Sequence, residues 1–465
     1  MLRRSFLQVA AAPLFAQRRK RPNVLFIVAD DMNVCLGTYG HPVVKTPNVD
    51  ALARRGVQFN RAYCQNPLCC PSRASFLNGL RPETTKVFAN DVDFRTNLPD
   101  IVTLPQFFKN NGWFSAREGK MFHMNVPMEV GKPRFQDPAS WNHNGSPQGL
   151  EDNSPGELHK LTPKTNRGAA IDWMSVADAK GQADEDAASR AIALLEQKRN
   201  EPFFLGLGFV RPHVPLVAPA KFFDMYPLEV CNPAKNPPGD ENDISPLFRK
   251  IRPDLWNNMD MDEAKQRQAL RGYYATTSFM DDQLGRVIQV LDRLGLRENT
   301  IVTFCGDHGW HLGEHTRWQK RSLMEESARV PLIVDAPGTK GRGKASDALV
   351  ELVDLYPTLT ELAGFKAPEH LEGQSFVPVL DNPARKWKNA AFTEFRDPIA
   401  NGFSVRTREY RYIEWRSPEG TVNEELYDSL QDPREFQNLA SEPLHAKLKA
   451  QAKRTLLAGW KAAKA

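Results

Sequence analysis

The segment Asn23–Ala29 (NVLFIVA) is apolar at every position after its first residue, and Phe203–Phe209, Thr300–Cys305 and Val330–Ala336 are similar short, apolar runs rich in β-branched or aromatic residues. A strand with no polar alternation has no face to offer to water, so both faces must be covered by other elements. Helical patterns lie between these runs, over Pro47–Arg55, Asp184–Lys198, Glu263–Leu294 and Leu352–Ala363. Strands alternating with helices predict an α/β layer fold around a mainly parallel sheet.

After about residue 385 the pattern changes. Ala390–Glu394, Phe403–Arg406, Tyr410–Trp415 and Glu425–Tyr427 are short strand-like pieces separated by turn residues, and a basic Ala/Lys/Leu-rich segment follows from Ser441. This predicts a smaller C-terminal antiparallel sheet plus helix, residues 386–465, beside a larger domain spanning 22–385. Two aperiodic stretches rich in Pro, Gly, Asn and Asp, Met124–Asp172 and Cys231–Asp260, are expected to be substrate-framing loops.

The composition, 41% hydrophobic and 25% charged over 465 residues, excludes a disordered, collagen-like or polytopic membrane chain. The net charge of +5 is misleading. Arg3, Arg4, Arg18, Arg19, Lys20 and Arg21 precede the first strand, and without them 55 basic residues face 56 acidic ones. A nucleic-acid binder usually carries its basic excess on the folded domain, so no nucleic-acid partner is expected. Arg3-Arg4-Ser5-Phe6-Leu7 followed by the apolar Val9–Ala16 resembles a twin-arginine export signal. Residues 1–16 are therefore expected to be a signal peptide read by twin-arginine export machinery, giving a periplasmic or secreted protein. The run is too short to span a bilayer, and no later segment reads as a membrane anchor.

Chemistry-bearing residues follow the apolar strands directly. Asp30-Asp31 ends the first, and Gly306-Asp307-His308-Gly309 ends Thr300–Cys305. In open parallel sheets ligands bind beyond the carboxyl ends of the strands, where such a set could hold a divalent cation. Any single Asp there also suits turn chemistry or a helix cap. In Cys69-Cys70-Pro71-Ser72-Arg73, Pro71 suits a first helical turn, which puts Cys69 at a helix N-terminus, a setting for an anion and for a thiol of lowered pKa. A cysteine nucleophile, a buried cysteine pair and a bridge to Cys64 all fit that spacing. No CxxC or Cys/His zinc spacing occurs.

Cys69-x-Pro71-Ser72-Arg73 with Leu77-x-Gly79 resembles the signature of the sulfatase family, in which the first cysteine is converted to formylglycine (3-oxoalanine). Asp30-Asp31, Gly119-Lys120-x-x-His123, Pro212-His213, Asp307-His308-Gly309, Lys320 and the C-terminal Leu426-Tyr427-Asp428 stand in the family's order. The segments GKMFHM, GFVRPHVP and GDHGWHLGEH are most similar to its iduronate-2-sulfatase branch. The resemblance implies an alkaline phosphatase-like fold, a large mixed, mainly parallel sheet sandwiched by helices. It also implies hydrolysis of a sulfate ester, on a sulfated carbohydrate, by a formylglycine diol whose second hydroxyl expels sulfate as the aldehyde re-forms. Asp30, Asp31, Asp307, His308 and residue 69 would bind the metal, expected to be calcium, with magnesium or manganese as alternatives. Arg73 would orient the diol, and Lys120 and Lys320 would contact sulfate. His123 would assist collapse of the diol. His213, with a pKa suited to neutral pH, would protonate the leaving oxygen. A formylglycine-generating maturation enzyme is an implied partner.

His315 is expected to support the site, and His311 is given no role. Trp141, His143, Arg211, Trp318 and Arg396 are candidate sugar contacts. Three other activities share parts of this pattern: a phosphodiester or phosphonate ester hydrolase of the same superfamily, a non-catalytic binding protein with unmodified Cys69, and a thiol hydrolase.

Overall fold

The computed structural model describes residues 21–162 and 170–465. The expected signal segment, 1–16, lies outside them.

The apolar runs form the centre of an eight-stranded sheet in the order Lys344–Glu351, Val57–Tyr63, Arg329–Asp335, Thr300–Gly306, Asn23–Asp30, Phe203–Pro212, Phe114–Gly119, His143–Gly145. All neighbours pair in parallel except at Arg329–Asp335, which runs against both of its partners. The sheet is thus mixed and mainly parallel.

The first strand shows why its run is apolar throughout. Val24, Phe26 and Val28 face a cluster shared with Phe76, Leu104, Phe108, Leu355 and Leu359 on one side. Leu25, Ile27 and Ala29 face the other way, into a cluster with Leu52, Ala187, Ala191, Leu284 and Val287. The covering helices on that second side are Pro47–Arg55, Ala183–Lys198 and the 31-residue Glu263–Arg293. Both faces are dry, so a polar residue on either would cost a buried polar group.

A four-stranded antiparallel sheet, Ala391–Arg396, Asn401–Arg406, Tyr410–Arg416 and Val422–Asp428, follows in simple meander order, with the helix Ala446–Ala462 behind it. One face packs Val405, Tyr412 and Leu426 against Ala452 of that helix. The other sets Phe395, Ile413 and Trp415 against Leu247, Phe248 and Trp256. The stretch expected as a substrate-framing loop, Cys231–Asp260, thus packs part of its length against the small sheet. No helix among the described residues is long and apolar enough to cross a membrane.

Candidate active site

Register brings the site together. Ala29 pairs with Phe209 on one side and Gly306 on the other, and a bulge then sets Asp30 opposite Pro212. Asp30-Asp31, His213 and Asp307-His308 consequently emerge side by side at the carboxyl edge of three central strands. Gly119 pairs with Gly208 one strand further out. A Cβ on Gly119, whose φ is +82°, would lie 2.0 Å from the Gly208 carbonyl oxygen, so only glycine lets Lys120 enter at this edge.

Cys69 arrives from the other direction, as the first residue of the helix Cys69–Asn78, after an extended Leu68. Its Sγ lies 3.2 Å from His308 Nε2 and 3.1 Å from Lys320 Nζ. Asp30, Asp31, Cys69 and His308 place one potential ligand atom each within 4.8 Å of one another, all buried. Asp307 stands beside this group with its oxygens engaged: Oδ1 accepts from the backbone N–H of Asp31 (3.1 Å) and His308 (3.0 Å), and Oδ2 from Arg73 Nε (2.8 Å).

Two features of the group suit a cation. Asp31 Oδ2 is buried and has no hydrogen bond among the described residues. His308 Nδ1 is 2.9 Å from the Gly309 carbonyl, which fixes its proton there and leaves the Nε2 lone pair facing Asp31 and Cys69. A carboxylate-rich donor set with one imidazole accommodates calcium, magnesium or manganese.

Three cations answer the three carboxylates. Lys120 Nζ is 2.5 Å from Asp30 Oδ2, Lys320 Nζ is 2.6 Å from Asp31 Oδ1, and Arg73 joins Asp307 to Asp30 (3.4 Å). Arg73 also donates to the carbonyls of Lys120 and Met121. It therefore fixes the Lys120 turn as well as the acids. Burial favours neutral Asp30, but Lys120, His213 and Arg73 outweigh it and hold the carboxyl well below its ordinary range. Asp31 goes the other way, raised by burial and by the Asp30 and Asp307 charges despite Lys320.

Two electrostatic expectations are corrected. The helix N-terminus does not make Cys69 a ready thiolate: burial and the Asp30 carboxylate push the thiol up, beyond what Lys120 and Lys320 recover. That disfavours a raw thiol nucleophile. His213 does not titrate near neutrality, because burial and then Lys320 bring it down to about 3. Its Nδ1 bonds the Val214 carbonyl at 2.6 Å, leaving Nε2 turned to the site, 3.6 Å from Asp31 Oδ2. His123 Nε2 is 3.2 Å from Asn125 Oδ1, and its Nδ1 is buried without a partner among the described residues.

Of the candidate sugar contacts, three are structural. Trp141 is buried in the core and donates to the Gln136 carbonyl, Trp318 is buried and donates to Asn258, and Arg211 is buried against Glu151 at 2.7 Å. Each is large, and in sequence a buried Trp or Arg looks like an exposed one. His143 remains partly exposed and bonds Glu118. Arg396 is half-buried beside Glu394. His315 bonds Asp240 at 3.0 Å, and the nitrogens of His311 are buried without hydrogen-bond partners among the described residues. The six cysteines are buried and unbridged, so Cys64 does not pair with Cys69.

Sequence reasoning missed Tyr273. From the middle of the longest helix its hydroxyl donates to the Asp31 carbonyl (2.7 Å) and accepts from Asn33 N–H (3.0 Å). It braces Asp31, whose φ is +61°. A tyrosine on the apolar stripe of a helix carries no signal of that role.

The family model described as Sulfatase matches residues 22–365, and one described as N-sulphoglucosamine sulphohydrolase, C-terminal, matches 313–461. A sulfatase of Formosa agariphila is 33% identical, over 90% of this chain and 83% of its own. The iduronate 2-sulfatase of Homo sapiens is 30% identical, over 84% of each. The phosphonate monoester hydrolase of Agrobacterium radiobacter shares the fold with a TM-score of 0.79 at 23% identity, over 95% of this chain and 96% of that one. The large mixed sheet, the Cys69 helix and the buried acidic–basic cluster at the strand ends thus belong together, and this chain belongs to the sulfatase family.

Proposed function

We propose that the protein hydrolyses a sulfate ester on a sulfated sugar, with residue 69 acting after oxidation of Cys69 to formylglycine by a maturation enzyme. The observation that carries this reading is the convergence on Cys69 of Asp31, His308 and Lys320, with Asp30, Arg73 and Lys120 completing the cluster. The raised thiol pKa supports a modified rather than a raw cysteine.

Asp30, Asp31, His308 and an oxygen of residue 69 would hold the metal, with Asp307 adjacent and calcium the preferred ion. When bound, the metal neutralises sulfate oxygens and polarises the attacking hydroxyl. Without it, the carboxylates of Asp30, Asp31 and Asp307 balance Arg73, Lys120 and Lys320. A divalent ion would leave the site cationic toward an anionic ester.

Lys120 and Lys320, both buried, bind and orient sulfate oxygens. Arg73 holds Asp30, Asp307 and the Lys120 turn in register. His123 has a buried Nδ1 without a hydrogen-bond partner among the described residues, through which it accepts a proton from the nucleophilic centre. His213 turns Nε2, the nitrogen its Val214 hydrogen bond leaves as a lone pair, toward the site; it serves as general acid to the leaving oxygen only after taking up a proton there. Residues 22–385 form the catalytic domain and 386–465 the C-terminal subdomain. The Arg3-Arg4 segment directs export through the twin-arginine route to the periplasm or beyond.

The test is sulfate release from an aryl sulfate, compared with hydrolysis of an aryl phosphodiester, on protein whose residue-69 peptide has been weighed. Aldehyde at residue 69 and faster sulfate release are expected. Faster phosphodiester hydrolysis would favour the phosphonate-type activity, and an intact thiol in active protein would sink the formylglycine mechanism.

A further inference from the structure

A cleft of about 340 Å³ opens beside the nucleophile, lined by Leu68, Asn90, Asn125, Arg321, Arg396 and Asp397 among others. Leu68 directly precedes Cys69, Arg321 directly follows Lys320, and Asn125 is the hydrogen-bond partner of His123. The cleft thus shares its walls with the segments that carry Cys69, Lys320 and His123, which makes it the place for the rest of a substrate whose sulfate meets those residues.

The two arginines of this cleft differ. Arg396 is already answered, by Glu394 at 3.0 Å and Glu83 at 3.6 Å, and it stacks on Phe88. The half-buried Arg321 has no side-chain hydrogen bond or ion pair among the described residues. Its main chain, by contrast, is tightly held. Arg321 N–H donates to the Pro67 carbonyl (3.2 Å), and Arg317 donates to the carbonyls of Lys320 (3.3 Å) and Arg321 (3.4 Å). Gln319 and Arg321 both have positive φ, +71° and +70°, a strained backbone on either side of Lys320. Arg317, sandwiched on Phe248 and Trp256, and Arg252 add like charge behind it. Burial and then Arg252 lower the Arg321 pKa beyond what Asp397 and Asp254 recover. Asp397 is near enough to be felt but forms no ion pair with it, and one of its oxygens accepts from Ile399 N–H.

We propose that Arg321 is a specificity-determining residue that receives a second anionic group of the substrate, a carboxylate or a second sulfate on the same sugar as the reacting ester. This rests on the sulfatase reading above. A guanidinium offers two parallel N–H donors to such a group, and a charge-assisted pair in a half-buried cleft discriminates strongly against a neutral sugar.

The test compares kcat/KM on a neutral sulfated hexose, a sulfated hexuronate, a disulfated hexose and an aryl sulfate, for wild type and the variants Arg321→Gln, Arg321→Lys and Asp397→Asn. Wild type is expected to prefer one doubly charged sugar over the neutral one by about tenfold or more, the scale of one charge-assisted hydrogen bond. Which of the two is preferred tells carboxylate from sulfate. Arg321→Gln should erase the preference through KM, Arg321→Lys should keep part of it, and Asp397→Asn should enlarge it. A wild type without preference, or an Arg321→Gln variant whose preference is unchanged, overturns the proposal while leaving sulfatase activity intact. Equal losses on every sugar, with Asp397→Asn losing preference too, would show a merely structural role and also overturn it. No sulfate release by wild type from any ester would instead bring down the underlying reading.

Discussion

Arg73 Nε lies 2.8 Å from Asp307 Oδ2, and both side chains are fully buried. The same guanidinium reaches Asp30 and the main chain of Lys120 and Met121, so one residue on the Cys69 helix ties that helix to three strand ends. Removing one partner of a buried ion pair strands the other charge and costs about 3–5 kcal/mol. Arg73→Ala is expected to lose about that much stability in urea or guanidinium unfolding, along with activity. A loss under about 1 kcal/mol, the scale of exposed pairs, would show that the site does not depend on this tie.

Metal dependence follows from Asp31 Oδ2, buried and without a hydrogen bond among the described residues. Calcium added to metal-free protein should raise the melting temperature, with about 2.7 kcal/mol of stabilisation at a hundredfold excess over Kd. Asp31→Asn should remove that shift and the response of activity to chelator. A shift of unaltered size in the variant would place the ion elsewhere.

Tyr273 gives a prediction far from the signature residues. Tyr273→Phe leaves the Asp31 carbonyl and Asn33 N–H without their buried partner, which costs about 1–3 kcal/mol. The variant should melt lower and bind calcium more weakly, because the left-handed turn at Asp31 loses its brace. Unchanged calcium affinity, read by calorimetry, would confine Tyr273 to packing.

Stability at alkaline pH should depend on His315. Burial alone would lower its pKa, but the Asp240 hydrogen bond and the Glu326 and Glu435 charges raise it to about 9. A histidine raised above its unfolded value of about 6.5 contributes stability that is complete below that pH and is lost as pH rises through the folded value. The melting temperature of wild type should therefore fall between about pH 6.5 and 9, and Asp240→Asn should flatten that fall. An identical slope in the variant would assign the effect to other groups.

Much of the site was legible because its residues sit in short local patterns. An apolar strand ending in Asp30-Asp31, a second ending in Asp307-His308, and Cys69 ahead of Pro71 and Arg73 can each be read without knowing what lies opposite. What the patterns could not carry was burial and long-range contact. Trp141, Trp318 and Arg211 looked available for a sugar and are enclosed. Cys231–Asp260 reads as an aperiodic substrate-framing loop, and nothing in it announces the packing of Leu247, Phe248 and Trp256 on the C-terminal sheet.

The amino-acid sequence by itself determined the α/β layering, the carboxyl-end location of the acids and the place of Cys69, the proposed nucleophile, at a helix N-terminus, because each depends on neighbours in the chain. Only the tertiary structure decided the charge states and supports. Cys69 is held as a thiol by burial beside Asp30, and His213 is kept neutral beside Lys320. Tyr273 braces Asp31 across 242 positions, and among the described residues no carboxylate folds into ion-pair distance of Arg321. Solvation and Coulomb energy depend on which distant residues close around a group, and strand register, not local pattern, sets that.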